Sequence, residues 1–171
     1  MGYLHIYCGD GKGKTTAAVG LAVRVAGSGK SVLFAQIMKN GSSSEIKVLE
    51  SIPQISCLYS KKNYGFYYTM NDEQKREMEG EYRALFERVV ELAAPCGLVV
   101  LDEILSAYTC GLVDREKVLA FLKDESIRAD IVLTGRDPAQ ELLTAADYVS
   151  VIQKARHPFD RGVPARKGIE F

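Results

Sequence analysis

The strongest constraint on this chain is a run rich in glycine and lysine that lies between a strand-like and a helix-like segment. Residues 13–15 match the second half of the phosphate-binding pattern G-x-x-x-x-G-K-[ST], whereas Cys8 stands at the position of its first glycine. Glycines follow at positions 9 and 11 instead. Backbone N–H groups in such a loop, together with the N-terminus of the next helix, favour an anion. The run therefore predicts a nucleotide phosphate site.

Individual residues of this loop have separate expected roles. The Lys12 and Lys14 ammonium groups would meet phosphate oxygens, and the Thr15 hydroxyl would contact a bound Mg²⁺. A glycine-rich turn with chance lysines is the alternative, and the strand before and helix after the run disfavour it. The residues expected to contact ATP here are Gly9, Asp10, Gly11, Lys12, Gly13, Lys14, Thr15 and Thr16.

Strand-like and helix-like segments alternate along the chain. This order predicts an α/β fold of the P-loop NTPase type, recombinase-like, with a mostly parallel sheet and helices on both faces. A length of 171 residues suits a single domain over 1–171. The expected strands are 3–8, 31–38, 56–60, 98–101, 131–134 and 148–152. The expected helices are 14–27, one from a Ser42/Glu45 capping box to about 51, 71–94, 114–123 and one capped by Asp137.

Polar residues follow two of these strands, at the sheet edge where ligands bind. The apolar run 98–101 is typical of a central strand and ends in Asp102 and Glu103. Placed beside the first strand, it would bring a carboxylate to the Mg²⁺. We favour Glu103 for contact with the metal or its water and Asp102 for a supporting role. Strand 131–134 leads to Arg136, which is either a surface arginine or a contact to an ATP phosphate.

Charge and composition exclude several other classes of protein. Twenty-two basic residues balance twenty-two acidic ones, so no overall field draws the chain to nucleic acid or to a membrane. Its apolar runs are too short to span a bilayer, and the N-terminus has no leader-like segment, so we expect a cytoplasmic protein. The four cysteines lack metal-ligand spacing and are expected to be small hydrophobes.

Two further segments carry unusual composition. The stretch after Lys61 and Lys62 contains Tyr64, Phe66, Tyr67 and Tyr68, and such an aromatic loop either tucks under a neighbouring element or covers a flat ligand. The tail 154–171 is basic but holds apolar residues as well. We expect it to pack over the active-site region instead of remaining solvated.

Four stretches together resemble one protein family over essentially the whole chain. Residues 8–18, 101–104, 134–136 and 155–171 are similar to the P-loop ATP:corrinoid adenosyltransferases of cobalamin synthesis and salvage. The tail is the most specific part of the resemblance. The chain departs from the family at Asp10, where Asn is common, at Cys8, where Thr or Ser is common, and at Tyr68, where Trp is common.

The resemblance implies transfer of the 5′-deoxyadenosyl group of ATP to the Co(I) of a reduced corrinoid, with release of triphosphate. It implies Lys12, Lys14 and Glu103 as catalytic residues, with Phe66 and Tyr68 at the corrinoid. A flavoprotein reductant and a homodimer follow by analogy with the family.

The phosphate loop alone leaves other functions open. A P-loop phosphotransferase or ATPase would produce ADP. A regulator that binds the nucleotide or the corrinoid would produce nothing.

Overall fold

A single six-stranded sheet is the centre of the computed structural model, which describes residues 2–62, 64 and 70–170. All neighbouring strands in this sheet are parallel, and their order is β3-β2-β4-β5-β1-β6. The strands are β1 Leu4–Cys8, β2 Val32–Gln36, β3 Ile55–Tyr59, β4 Leu98–Asp102, β5 Asp130–Thr134 and β6 Tyr148–Val151.

Helices cover both faces of the sheet. They are α1 Lys14–Gly27, α2 Ser44–Leu49, α3 Asp72–Ala93, α4 Ile104–Thr109, α5 Arg115–Leu122 and α6 Gln140–Ala145. Successive residues of a strand point to opposite faces. Phe34 of β2 therefore packs in the cluster that holds α1 and α2, whereas Leu33 packs in the cluster that holds the other helices. The predicted fold class is confirmed.

The position of β4 corrects one expectation from the sequence. We expected this strand to lie beside β1, but β5 lies between them. The acidic end of β4 still reaches the phosphate loop, because the Thr15 hydroxyl donates a hydrogen bond of 2.8 Å to Asp102 Oδ1. Thr134, at the end of the intervening strand, donates to the same oxygen at 2.7 Å.

Two local expectations differ from the structure, and one helix was not expected. Helix α2 begins at Ser44 after Ser43, and the expected capping box is absent: Glu45 accepts a bond from Gln36 Nε2 instead. Helix α6 begins at Gln140, and its cap is Ala139, not Asp137. Helix α4 was not predicted. Four of its six residues are fully buried, so it lacks the alternation of polar and apolar positions that reveals a surface helix.

Helix α3 follows the sequence pattern closely. Asn71 caps it in a reciprocal capping box with Gln74, and the residues at three- and four-residue steps from Met78 to Ala93 are buried. Its outer face is charged. Within the described residues, no helix is both long and apolar enough to cross a membrane.

Two adjacent valines of α3 provide a test of this packing. Val89 is fully buried, whereas Val90 is 41% exposed. We expect Val89→Ala to lower the free energy of unfolding by about 2 kcal/mol, from two lost buried carbon groups plus the cavity they leave. Val90→Ala, the matched control, is expected to change it by less than about 0.5 kcal/mol. Urea denaturation measures both; equal losses would contradict the assigned helix face.

Candidate functional site

The phosphate loop joins the end of β1 to the start of α1. Gly13, with a φ of 120°, precedes the helix, and Ala17 N donates to Gly13 O at 2.8 Å. The amides of residues 14–16 thus belong to the first helical turn, where N–H groups have no carbonyl partner within the helix. The loop therefore presents these donors, together with the positive end of α1, at the carboxyl edge of the sheet.

The unusual glycine spacing has a structural cause. The chain that leaves β6 passes close over the loop, and a Cβ added to Gly9 would lie 2.4 Å from Ile152 O. A Cβ added to Gly11 would lie 2.8 Å from the same oxygen. The amides of both glycines donate to protein carbonyls, Gly9 N to Arg136 O and Gly11 N to Ile152 O. These two glycines serve contact with the chain after β6, and their amides are not free for an anion.

Asp10 also connects the loop to this segment. Its carboxylate accepts a 2.9 Å hydrogen bond from the backbone amide of Lys154. This bond holds the pKa of Asp10 below its usual range, and the charges of Lys154 and Arg136 add to the effect. Both Asp10 and the Arg136 side chain were expected to contact ATP. Arg136 is close enough for its charge to act on Asp10, and neither residue lines the cavity described next.

A cavity of about 540 Å³ lies beside the loop, at Lys12, Thr15 and Thr16. That volume falls within the range of about 300–1,000 Å³ typical of small-molecule sites. Lys14 Nζ donates to Gly11 O at 2.8 Å, within the loop itself. The residues that line the cavity are Lys12, Thr15, Thr16, Val19, Lys39, Ser43, Ser44, Glu45, Val48, Gly168, Ile169 and Glu170.

The buried carboxylate of Asp102 lies next to this cavity and is surrounded by donors. Its Oδ1 accepts from Thr15 Oγ1 at 2.8 Å and from Thr134 Oγ1. Its Oδ2 is 2.7 Å from Lys39 Nζ and 3.4 Å from Gln36 Nε2. Four side chains from three separate parts of the sequence thus converge on one acid, which would otherwise be costly to bury.

Glu103 has a different environment. Its φ of 62° places a non-glycine residue in the left-handed region, at the start of α4. Its amide donates to Thr134 Oγ1 at 2.9 Å, and its carboxylate is 3.4 Å from Ser106 Oγ. We expected Glu103 to approach the metal and Asp102 to support it. The distances favour the reverse, because Asp102 contacts Thr15 directly.

The C-terminal tail reaches the same cavity through residues 168–170. Arg166 binds the Glu170 carboxylate and holds its pKa below the usual range. The apolar residues Phe159 and Val163 of the tail remain exposed, at 73% and 38% of their surface. Among the described residues, the tail therefore meets the loop region at two places, through Lys154 at Asp10 and through residues 168–170 at the cavity.

Sequence reasoning missed three of the residues around Asp102. Gln36 and Thr134 are the last residues of buried strands, and Lys39 follows three residues after Gln36. The rule that singled out Asp102, a polar residue at the carboxyl end of a buried strand, applies to Gln36 and Thr134, whereas Lys39 lies beyond the strand. Phe66 and Tyr68 lie outside the described residues.

A glycine- and lysine-containing loop before a helix, with an acid from a parallel strand on its threonine, defines a P-loop nucleotide-binding protein. The family is more specific. Residues 1–171 match the model of the ATP:corrinoid adenosyltransferases BtuR/CobO/CobP. The chain belongs to this family and is an enzyme of the corrinoid adenosyltransferase class, which confirms the resemblance found in its sequence.

Relatives of this class cover nearly the whole chain. The corrinoid adenosyltransferase of Pseudomonas aeruginosa is 32% identical over 99% of this chain and 84% of its own. That of Escherichia coli K12 is also 32% identical, over 99% and 86%. The corrinoid adenosyltransferase CobA of Salmonella typhimurium is 31% identical over the same shares.

Two solved structures support the fold alone. EssC ATPases 2 and 3 from Geobacillus thermodenitrificans have a TM-score of 0.55 and 16% identity, over 99% of this chain but only 36% of that longer one. The KaiC-like protein PH0186 of Pyrococcus horikoshii has a TM-score of 0.50 and 15% identity, over 90% and 73%.

The contact between Asp10 and Lys154 can be tested with a conservative pair of variants. We expect Asp10→Ala to remove the acceptor, so that the Lys154 amide exchanges its hydrogen faster and ATP binds more weakly. Asp10→Asn keeps an oxygen acceptor and should preserve both properties. Hydrogen exchange read by NMR and ATP titration measure the two effects. Equal exchange rates in the wild type and Asp10→Ala would show that this contact does not hold the loop.

Proposed function

We propose that this chain transfers the 5′-deoxyadenosyl group of ATP to the Co(I) of a reduced corrinoid and releases triphosphate. The observation that carries the proposal is the cavity where Lys12 and Lys39 lie beside the first turn of α1, in a chain of this family. In this reaction the electron pair of Co(I) forms a bond to carbon 5′ and the metal becomes Co(III). The bond from carbon 5′ to oxygen breaks, and its electrons leave with the triphosphate.

The protein's main task in such a reaction is to stabilise the leaving group. Co(I) is itself the nucleophile, so the reaction needs no nucleophilic side chain. Charge accumulates on the triphosphate, where the Lys12 ammonium and the free amides at the start of α1 would bind it. Lys14 would join them by exchanging its bond to Gly11 O for a phosphate oxygen. We keep Lys12 and Lys14 as the catalytic cations on this ground.

We also propose that Mg²⁺ accompanies the ATP. The donors fit this ion: the Thr15 hydroxyl and the Asp102 carboxylate are hard oxygen ligands 2.8 Å apart. No group of three or more His, Cys, Asp or Glu side chains suited to a metal occurs in the described part of the chain. One carboxylate completed by a hydroxyl, waters and phosphates is the usual way for proteins to hold Mg²⁺. When bound, the ion would neutralise charge on the triphosphate.

The corrinoid would enter from the side of the segment after β3. Strand β3 ends at Tyr59. Of the residues that follow, the Tyr64 ring contacts the buried Tyr82 edge-on, with the ring centroids 6.1 Å apart, and Met70 is buried. We propose that Phe66 and Tyr68 cover the corrin face and that Arg136 assists at ATP.

The wider setting is likewise a proposal. We propose that the enzyme works in the cytoplasm as a homodimer, that 154–171 forms part of its single domain, and that a flavoprotein supplies the electrons that generate Co(I). Size-exclusion chromatography with light scattering tests the dimer.

One assay tests the function directly. The protein is mixed with MgATP and chemically reduced cobalamin without oxygen, and the corrinoid spectrum and the phosphate products are followed. We expect a light-sensitive alkylcobalt species and triphosphate, with turnover at least roughly 100-fold lower for Lys14→Ala. Lys47→Ala, on the exposed face of α2, is the matched control. ADP as product would indicate phosphoryl transfer, and ATP binding without product would indicate a regulator.

The two adjacent acids can be separated with neutral variants of equal size. We expect Asp102→Asn to weaken Mg²⁺ binding in the presence of ATP by at least roughly tenfold, because it removes the carboxylate that contacts Thr15. Glu103→Gln should weaken it less. Calorimetric titration of Mg²⁺ gives both affinities. A larger loss for Glu103→Gln would restore the assignment first made from the sequence.

A further inference from the structure

Lys39 occupies a position that the phosphate loop does not explain. Its Nζ lies 2.7 Å from Asp102 Oδ2 and 3.4 Å from Thr15 Oγ1, so it contacts the same two side chains that are proposed to hold Mg²⁺. The carboxylate is fully buried, whereas the lysine side chain is 28% exposed and lines the cavity. One partner of this ion pair is fixed in the core, and the other borders the ligand space.

The backbone around Lys39 holds it in this position. Strand β2 is buried along its whole length, and Ile37 N donates to Asp102 O at 2.8 Å, immediately after the strand ends. Met38 then adopts a φ of 58°, an uncommon conformation for a residue with a side chain. This turn brings the next residue, Lys39, over the carboxylate. The contact therefore depends on a specific, strained backbone and is not a chance meeting of surface charges.

We infer that the Lys39 ammonium occupies the place of the divalent cation at Asp102 while the site is empty, and that it moves from Asp102 to the triphosphate when the metal and the nucleotide enter. The inference rests on the proposed metal role of Asp102 and Thr15. A divalent ion on these oxygens would repel an ammonium at contact distance from them. The triphosphate, which shares the cavity with Lys39, offers that ammonium a new anionic partner.

Asp102 would keep polar partners throughout this exchange. Thr134 Oγ1 stays bonded to Oδ1, and Gln36 Nε2 faces Oδ2 at 3.4 Å. Thus only the charged partner of the acid changes, from an ammonium to a metal ion. Lys39 is in this sense a positioning residue that couples the two ligands. The metal ion releases the ammonium for the triphosphate, and the triphosphate gives the displaced ammonium a new partner.

The coupling has a measurable consequence. A metal ion alone must displace the ammonium without giving it another partner, so it should bind weakly. Together with ATP it should bind much more tightly. Replacing Lys39 with an uncharged residue removes the competitor for the metal and also removes one cation for the phosphates. Metal affinity without ATP should therefore rise, while ATP affinity should fall.

The experiment uses Mn²⁺ as the probe, titrated by electron paramagnetic resonance with and without ATP and with no corrinoid present. We expect Lys39→Met to bind Mn²⁺ alone about tenfold more tightly than the wild type, which corresponds to about 1.4 kcal/mol. The enhancement of Mn²⁺ binding by ATP should shrink by a similar factor. Lys47→Met, an exposed lysine on α2, should leave both values unchanged. An unchanged or weaker Mn²⁺ affinity in Lys39→Met would overturn the inference.

A second measurement needs no variant of Lys39 and covers the case in which Lys39→Met fails to fold. Acetylation rates of individual lysines in the wild type are read by mass spectrometry as Mg²⁺ is raised without ATP. The released Lys39 amine should react several-fold faster, with no change at Lys47, and a constant Lys39 rate would refute the displacement.

Asp102→Asn separates this inference from the metal site itself. If it leaves Mn²⁺ binding intact, the metal assignment is wrong and the inference falls with it. If it abolishes Mn²⁺ binding while Lys39→Met changes nothing, only the role of Lys39 is wrong.

Discussion

A carboxylate that is closed off from water is costly unless hydrogen-bond donors surround it, and Asp102 is such a group at the centre of this site. Its donors come from the ends of two strands, from the first turn of α1 and from the loop after β2. Satisfying this acid thus fixes the relative positions of elements that are distant in the sequence. The site is organised by the acid as much as by the phosphate loop.

The phosphate loop, in turn, depends on the segment that crosses over it. Gly9 and Gly11 lie against the backbone at Ile152, and Asp10 is bonded to the backbone at Lys154. A loop with the common spacing has its first glycine at position 8, but Cys8 is a buried end residue of β1 that points into the core. The altered spacing therefore reflects the packing of residues 9–11 against the chain that follows β6. It leaves the second half of the motif, from Gly13 onward, to face the ligand.

The elements with strong periodic signals were predictable, and those defined by tertiary contacts were not. Helix α3 has both a capping box and an amphipathic stripe, and β4 is a continuous apolar run, so local sequence determines each. The insertion of β5 between β4 and β1 is a matter of sheet order, which no local pattern encodes. Local sequence could not divide the roles of Asp102 and Glu103 for the same reason, because adjacent acids differ only in what surrounds them, and only the structure shows that Asp102 contacts Thr15. The resemblance of the tail to the ATP:corrinoid adenosyltransferases indicated the function more specifically than any of these local patterns did.

Backbone strain marks both sides of the ion pair between Lys39 and Asp102. Within the described residues, the non-glycine residues with positive φ are Met38 and Glu103, one next to each partner of this pair. Such conformations cost on the order of 1–3 kcal/mol each and persist where surrounding contacts determine them. Here hydrogen bonds from Ile37 N to Asp102 O and from Glu103 N to Thr134 Oγ1 supply those contacts. These contacts fix the two backbones, whereas the Lys39 side chain is partly exposed and borders the cavity. A fixed acid facing a cation that borders the ligand space is what the proposed exchange between metal and ammonium requires.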